Sequence, residues 1–185
     1  MKKNLFILLF IFVISISRSQ ISFSHSVGLS FIMPTNQDLV DIGGLGVEYS
    51  PRLNVLEVGD NSTVSVGTHL LLGGSGGDSR SGFDFYYSLP LVAEYNFGSA
   101  SNRDNMDNFG FYVGGGYGIF SQTVLSSSIN APVLTGGVRF IFRENIIDIN
   151  VSYMPSTYKY KVAGESFSID QSLVNIGIQY VIGGM

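Results

Sequence analysis

The chain contains no cysteine. That rules out disulfides, thiolate-held metals and a lipid-modified N-terminal Cys. Charge is scarce as well: only 13% of the 185 residues are Asp, Glu, Lys or Arg, and the acidic residues outnumber the basic ones by 14 to 10. A basic surface able to track a phosphate backbone is missing, which argues against a nucleic-acid partner. Beyond residue 19 no stretch approaches the ~20 continuous apolar residues of a membrane helix. Yet 45% of the chain is hydrophobic, too much for a disordered segment.

The N-terminus reads as a secretory signal over residues 1–19. Lys2 and Lys3 form its basic start, Leu5–Ile14 its apolar run, and Ser17-Arg18-Ser19 its small-residue cleavage region. Cleavage leaves Gln20 or Ile21 first. It also removes Lys2, Lys3 and Arg18, so seven basic residues face 14 acidic ones and the net charge is −7.

The remaining hydrophobicity is spread over alternating segments. In Phe83–Gly98, Phe83, Phe85, Tyr87, Leu89, Leu91, Ala93, Tyr95 and Phe97 share one parity. Asp84, Tyr86, Ser88, Pro90, Val92, Glu94 and Asn96 share the other. A period of two marks a β-strand with one apolar and one mixed face. At about 3.3 Å per residue it spans roughly 45–50 Å, enough for a tilted crossing of an apolar band about 25 Å tall. Seven more segments repeat the pattern: Phe23–Met33, Gly44–Leu53, Val64–Leu72, Phe109–Phe120, Val133–Phe142, Ile146–Met154 and Leu173–Ile182. The predicted fold is therefore all-β, an eight-stranded antiparallel up-and-down transmembrane β-barrel over residues 20–185. Connections 34–43, 73–82, 122–131 and 155–171 are expected outside the cell. Those at 54–63, 99–108 and 143–145 are expected in the periplasm.

The second face decides which side meets lipid. Glu48, Arg52, His69, Asp84, Glu94, Arg139 and Asp148 all fall on the Gly/Ser parity of their strands, predicting a polar, charged network in the lumen. Turned toward lipid, Arg139 alone would cost about 2–4 kcal/mol near the midplane. Bulky residues at every second position of eight strands would overfill a small barrel if they pointed inward. A soluble two-sheet sandwich is the competing architecture. On this assignment Leu91→Arg blocks assembly while Asn96→Arg is tolerated. Pro90, in mid-strand, is expected to cause a bulge or a water-satisfied carbonyl in the lumen. Lys159 and Lys161, alternating with Tyr158 and Tyr160, read as a continuation of the seventh strand.

Leu89-Pro90-Leu91, then Tyr95-Asn96-Phe97-Gly98, then the glycine-rich Tyr112-Val113-Gly114-Gly115-Gly116-Tyr117-Gly118 resemble the small outer-membrane β-barrel ("porin family") domain of the Bacteroidetes type. The resemblance implies eight antiparallel strands and an outer-membrane address, and it brings no catalytic residues. One departure is the end of the chain, Tyr180-Val181-Ile182-Gly183-Gly184-Met185, where such barrels usually finish on an aromatic residue.

Chemistry-bearing motifs are absent. No G-x-S-x-G nucleophile elbow occurs, and neither glycine run carries the Lys-Ser/Thr pair of a phosphate loop. Asp104 and Asp107 lack the spacing of a calcium loop. No catalytic, cofactor or metal residues are assigned. The expected role is that of a non-enzymatic barrel with a filled lumen, structural or binding through its loops. The alternatives are a narrow pore for small solutes, an accessory to a secretion system, and a lipid-modifying enzyme using His69. Expected partners are outer-membrane lipid, the barrel-assembly machinery during insertion, and an extracellular ligand at the outer connections.

Overall fold

The computed structural model describes residues 21–35, 44–76, 83–101, 107–122, 128–155, 157–162, 165–170 and 172–182. The expected signal segment lies outside them. Eleven strands occur among the described residues: β1 (Ser22–Pro34), β2 (Gly44–Glu57), β3 (Ser62–Gly67), β4 (Leu70–Gly76), β5 (Phe83–Gly98), β6 (Phe109–Gln122), β7 (Ile129–Phe142), β8 (Asn145–Met154), β9 (Thr157–Val162), β10 (Glu165–Asp170) and β11 (Leu173–Ile182).

Apart from β3 and β4, which do not pair with each other, antiparallel neighbours run in sequence order from β1 to β8, then to β11, and β11 pairs back onto β1. The sheet is thereby closed, with no free edge in the ring. It has eight wall positions, because β3 and β4 together occupy the third: both pair with β2 on one side and β5 on the other. The fold is an eight-stranded antiparallel barrel.

The third wall position departs from the sequence reading, which treats Val64–Leu72 as one strand. Pairing lapses at Thr68 and His69. Gly67 lies opposite Arg52 and Val92, and pairing resumes with Leu70 opposite Tyr49 and Leu71 opposite Ser88. Pro51 on β2 and Pro90 on β5 flank this interruption. Proline brings no N–H to a ladder, and here both neighbours carry one at the same level. Thr68 recovers one bond, its backbone N–H donating to the Pro51 carbonyl at 3.2 Å. The bulge expected at Pro90 is absent: β5 stays in continuous register with β6, Pro90 opposite Gly118. The irregularity has moved to the neighbouring wall.

Connections on the short-turn rim are tighter than the sequence suggests. β2 continues to Glu57, leaving Val58–Asn61 as the turn. Arg143 and Glu144 join β7 to β8 with φ of 49° and 69°, the left-handed pair that a two-residue hairpin requires. The Asn145 side-chain amide braces this turn by donating to the Arg143 carbonyl at 3.1 Å. On the opposite rim several expected loop residues are strand: Gly73–Gly76 belongs to β4, Gln122 to β6, and Ile129–Ala131 to β7. Lys159 and Lys161 do not extend the seventh barrel strand. β8 stops at Met154 before Pro155, and β9 pairs only with β10 as a separate hairpin.

Alternation fixes the two faces. Phe31, Leu45, Val47, Phe85, Leu89, Leu91, Phe111, Val113, Leu134, Val151, Ile176 and Ile178 are all exposed, Leu91 to 66%. No water-soluble protein leaves such a belt bare on every wall. Closed hydrogen bonding and an outward apolar belt are what a bilayer demands of a β protein.

Candidate functional site

The inward face forms three layers. At the short-turn rim Ala100, Ile146 and Val181 close the barrel with a small apolar cluster. Ser99-Ala100-Ser101, just after β5, is drawn into this mouth. Thr63 Oγ1 donates to the Ser101 carbonyl at 2.5 Å, and the Ser101 hydroxyl donates to the Asn61 carbonyl at 3.1 Å.

The middle layer holds the ionisable groups, and its geometry starts from the proline-flanked interruption. Released from the ladder, His69 places its ring between two walls. Nδ1 lies 3.1 Å from Glu48 Oε1 on β2, and Nε2 lies 2.7 Å from Glu94 Oε1 on β5. Glu48, fully buried, accepts from the Ser30 hydroxyl and from the side-chain amides of Asn175 (3.0 Å) and Asn150 (3.3 Å). One carboxylate on β2 thus ties together β1, β8 and β11.

A second group lies on the short-turn side. Arg139 Nε donates to Asp148 Oδ2 at 2.8 Å, and its Nη1 donates to Asn96 Oδ1 at 2.9 Å. Its guanidinium sits 4.1 Å from the centre of the Tyr112 ring, and the Tyr112 hydroxyl donates to Asp148 Oδ1 at 3.2 Å. Arg52 Nη1 donates to the same Asn96 oxygen at 3.0 Å, while its Nε donates to the Ser24 hydroxyl and its Nη2 to the Ala100 carbonyl. With a hydrogen on each ring nitrogen of His69, three cationic side chains balance Glu48, Glu94 and Asp148. Such pairing is what lets charges be buried at all.

Asp84 stands apart from this assembly. It shares the inward parity but is half-buried near the start of β5 opposite Ser75, ten residues from Glu94, at the long-connection rim. The expected tolerance of Asn96→Arg is also overturned. Asn96 is fully buried and its oxygen already receives two guanidinium groups, so a third in its place would meet like charge.

The third layer adds an apolar part to the polar lumen that the sequence predicts. Toward the long connections the interior is apolar, packed from Ile32, Leu71, Tyr86, Val92, Phe120, Ile129, Ala131, Val133, Met154 and Leu173. The signal was present in the parity, since each shares the inward register of a polar neighbour in its strand. A cavity of about 30 Å³ lies at the boundary, between Leu71, Val133, Met154 and Leu173 on one side and His69 and Asn175 on the other. A second, of about 10 Å³, lies among Ser50, Arg52, His69, Glu94 and Arg139. These sizes suit single waters.

Ser50, His69 and Glu94 line up as an acid–base relay, with Ser50 Oγ 3.0 Å from His69 Nδ1. The same hydroxyl accepts from the Gln179 amide at 3.0 Å, and the void beside it is of water size. No group of three or more His, Cys, Asp or Glu side chains able to hold a metal occurs among the described residues.

No family model matches the sequence, and no curated protein matches it. Solved structures do match. The attachment invasion locus protein Ail of Yersinia pestis, solved with the heparin analogue sucrose octasulfate, is 16% identical. The match covers 89% of this chain and 100% of Ail, with a TM-score of 0.50. Neisserial surface protein A is 12% identical, with 89% of this chain and 99% of that one covered and a TM-score of 0.52. At such identities the likeness concerns the fold.

Proposed function

We propose that this chain is an outer-membrane barrel with a sealed lumen, non-enzymatic, acting as a structural protein or as a platform whose long connections bind an external ligand. Its starting point is architectural: a closed eight-stranded barrel with an outward apolar belt is an outer-membrane design. The resemblance of its Leu-Pro-Leu, Tyr-Asn-Phe-Gly and glycine-rich segments to small Bacteroidetes barrels supports the same address.

One observation carries the sealed lumen. Its occupants include some of the bulkiest fully buried side chains in the protein, Arg139, Phe120 and Leu71, joined by Glu48, Val92 and Asn96. They come from five different wall positions and stack from one mouth to the other. Ions cannot pass unless several paired charges separate together. The relay at Ser50, His69 and Glu94 supports a structural role over catalysis, because both ring nitrogens are engaged and no substrate-sized space adjoins the hydroxyl.

Planar-bilayer recording of the refolded protein tests this. The expected result is no resolved conductance steps at neutral pH. Steps that disappear in Arg139→Met or Glu94→Gln would establish a pore instead.

A further inference from the structure

Where the closed ring ends, at the long-connection rim, β7 and β8 part. Their pairing begins only at Leu134 opposite Tyr153, although β7 runs on to Ile129 and stays paired with β6 there. Extending that register by two places sets Pro132 opposite Pro155. Neither proline brings an N–H to the ladder, so the strands separate where the two face each other. Among the described residues, the stretch from Ile129 to Val133 has one paired edge and one open edge.

β9 and β10 continue what β8 and β11 begin. Met154 faces Leu173 and, three residues further along each strand, Thr157 faces Asp170. The hairpin therefore prolongs the β8–β11 ladder in register, and the same count brings Asn130 of β7 level with Thr157 of β9. Among the described residues β9 pairs with β10 alone. A lone two-stranded hairpin is marginal in water. Two unpaired strand edges thus flank one fork.

Alternation gives the fork its chemistry. Tyr158 and Tyr160 share one face of the hairpin with Ile169 and Phe167, while Lys159 and Lys161 share the other with Ser168 and Ser166. These are the only lysines beyond the expected signal segment, in a chain where acidic residues outnumber basic ones. Lysines on an edge strand blunt it against a second copy of itself. They favour an acidic strand in its place.

We propose that the fork between β7 and β9 takes up an extended acidic segment of an external protein by β-augmentation. The segment alternates acidic residues, on the Lys159/Lys161 face, with apolar residues on the Tyr158/Tyr160 face. Its backbone completes both open edges. Such uptake gives the platform reading above its partner, and it rests on the outside address of connection 155–171. Conductance steps would leave it standing.

The address is checked separately with a membrane-impermeant amine reagent on intact cells, which should label Lys159 and Lys161. Unlabelled lysines would overturn the address itself. For the segment, the refolded full chain in dimyristoylphosphatidylcholine nanodiscs is titrated calorimetrically with acetyl-Val-Glu-Val-Glu-Val-Glu-amide and with its lysine counterpart. The glutamate peptide should bind saturably, and the lysine peptide at least about fivefold more weakly. Lys159→Glu/Lys161→Glu should reverse that order. N-methylation of the three Val residues blocks one peptide edge and N-methylation of the three Glu residues the other, so each should abolish binding. Absence of saturation, or an unreversed order in the double variant, would overturn the inference. So would an N-methylated form that binds like its parent, which would mean that charge alone is recognised.

Discussion

Toward the long connections the lumen is packed with Leu71, Phe120, Ile129 and Val133, while toward the short turns it is filled by Arg52, Asn96, Arg139 and Asp148. Both halves are filled by side chains, but they cohere differently. The apolar half is held by contact area, so each side chain contributes in proportion to its volume and a small loss can be absorbed nearby. In the ionic half the charged side chains are each paired with others, and removing one strands its partners in a medium that cannot solvate them. Damage should therefore be graded in one half and abrupt in the other.

The largest effect is expected from Arg139→Leu. Asp148 and the Asn96 oxygen would lose their principal donor while buried, a loss of about 3–5 kcal/mol. Urea unfolding followed by the heat-modifiability shift on gels would measure it. Removing both charges in Arg139→Met/Asp148→Leu should recover most of that loss, since no stranded ion remains. A double variant as unstable as the single one would mean the pair itself holds the halves together.

Next comes the outer face. Leu91→Arg would place a guanidinium against hydrocarbon, at a cost of about 2–4 kcal/mol if the site lies near the midplane. Assembly yield in vesicles should fall accordingly. The smallest effect belongs to the apolar half: Ile129→Val should cost about 0.5–1.5 kcal/mol. A loss there as large as that of Arg139→Leu would erase the contrast between the layers.

Much of this plan was legible in the chain. The inward parity of Glu48, Arg52, His69, Glu94, Arg139 and Asp148 follows from alternation alone, because a strand must turn successive side chains to opposite faces. What pairs with what was not legible. That Glu48 meets Asn175, 127 residues away, depends on barrel closure and register, which no local pattern encodes. The break at Thr68–His69 was hidden for the same reason, since Pro51 and Pro90 lie far from it in sequence and flank it only across the ladder. The apolar upper layer was visible in principle: Met154 follows Asp148, Asn150 and Ser152 in one register. Asp84 was misplaced because parity fixes the face of a residue but not its height along the barrel.

The central claim is that bulky apolar side chains meet lipid and the small and ionised ones meet each other. The absence of native cysteine makes it directly measurable by spin labels at single introduced cysteines in lipid vesicles. Labels at Leu91→Cys, Val113→Cys and Ile178→Cys should relax strongly with oxygen, which concentrates in hydrocarbon, and labels at the half-buried inward positions Ser88→Cys and Ser152→Cys should not. Strong oxygen relaxation at the serine positions with little at the outward ones would contradict the account.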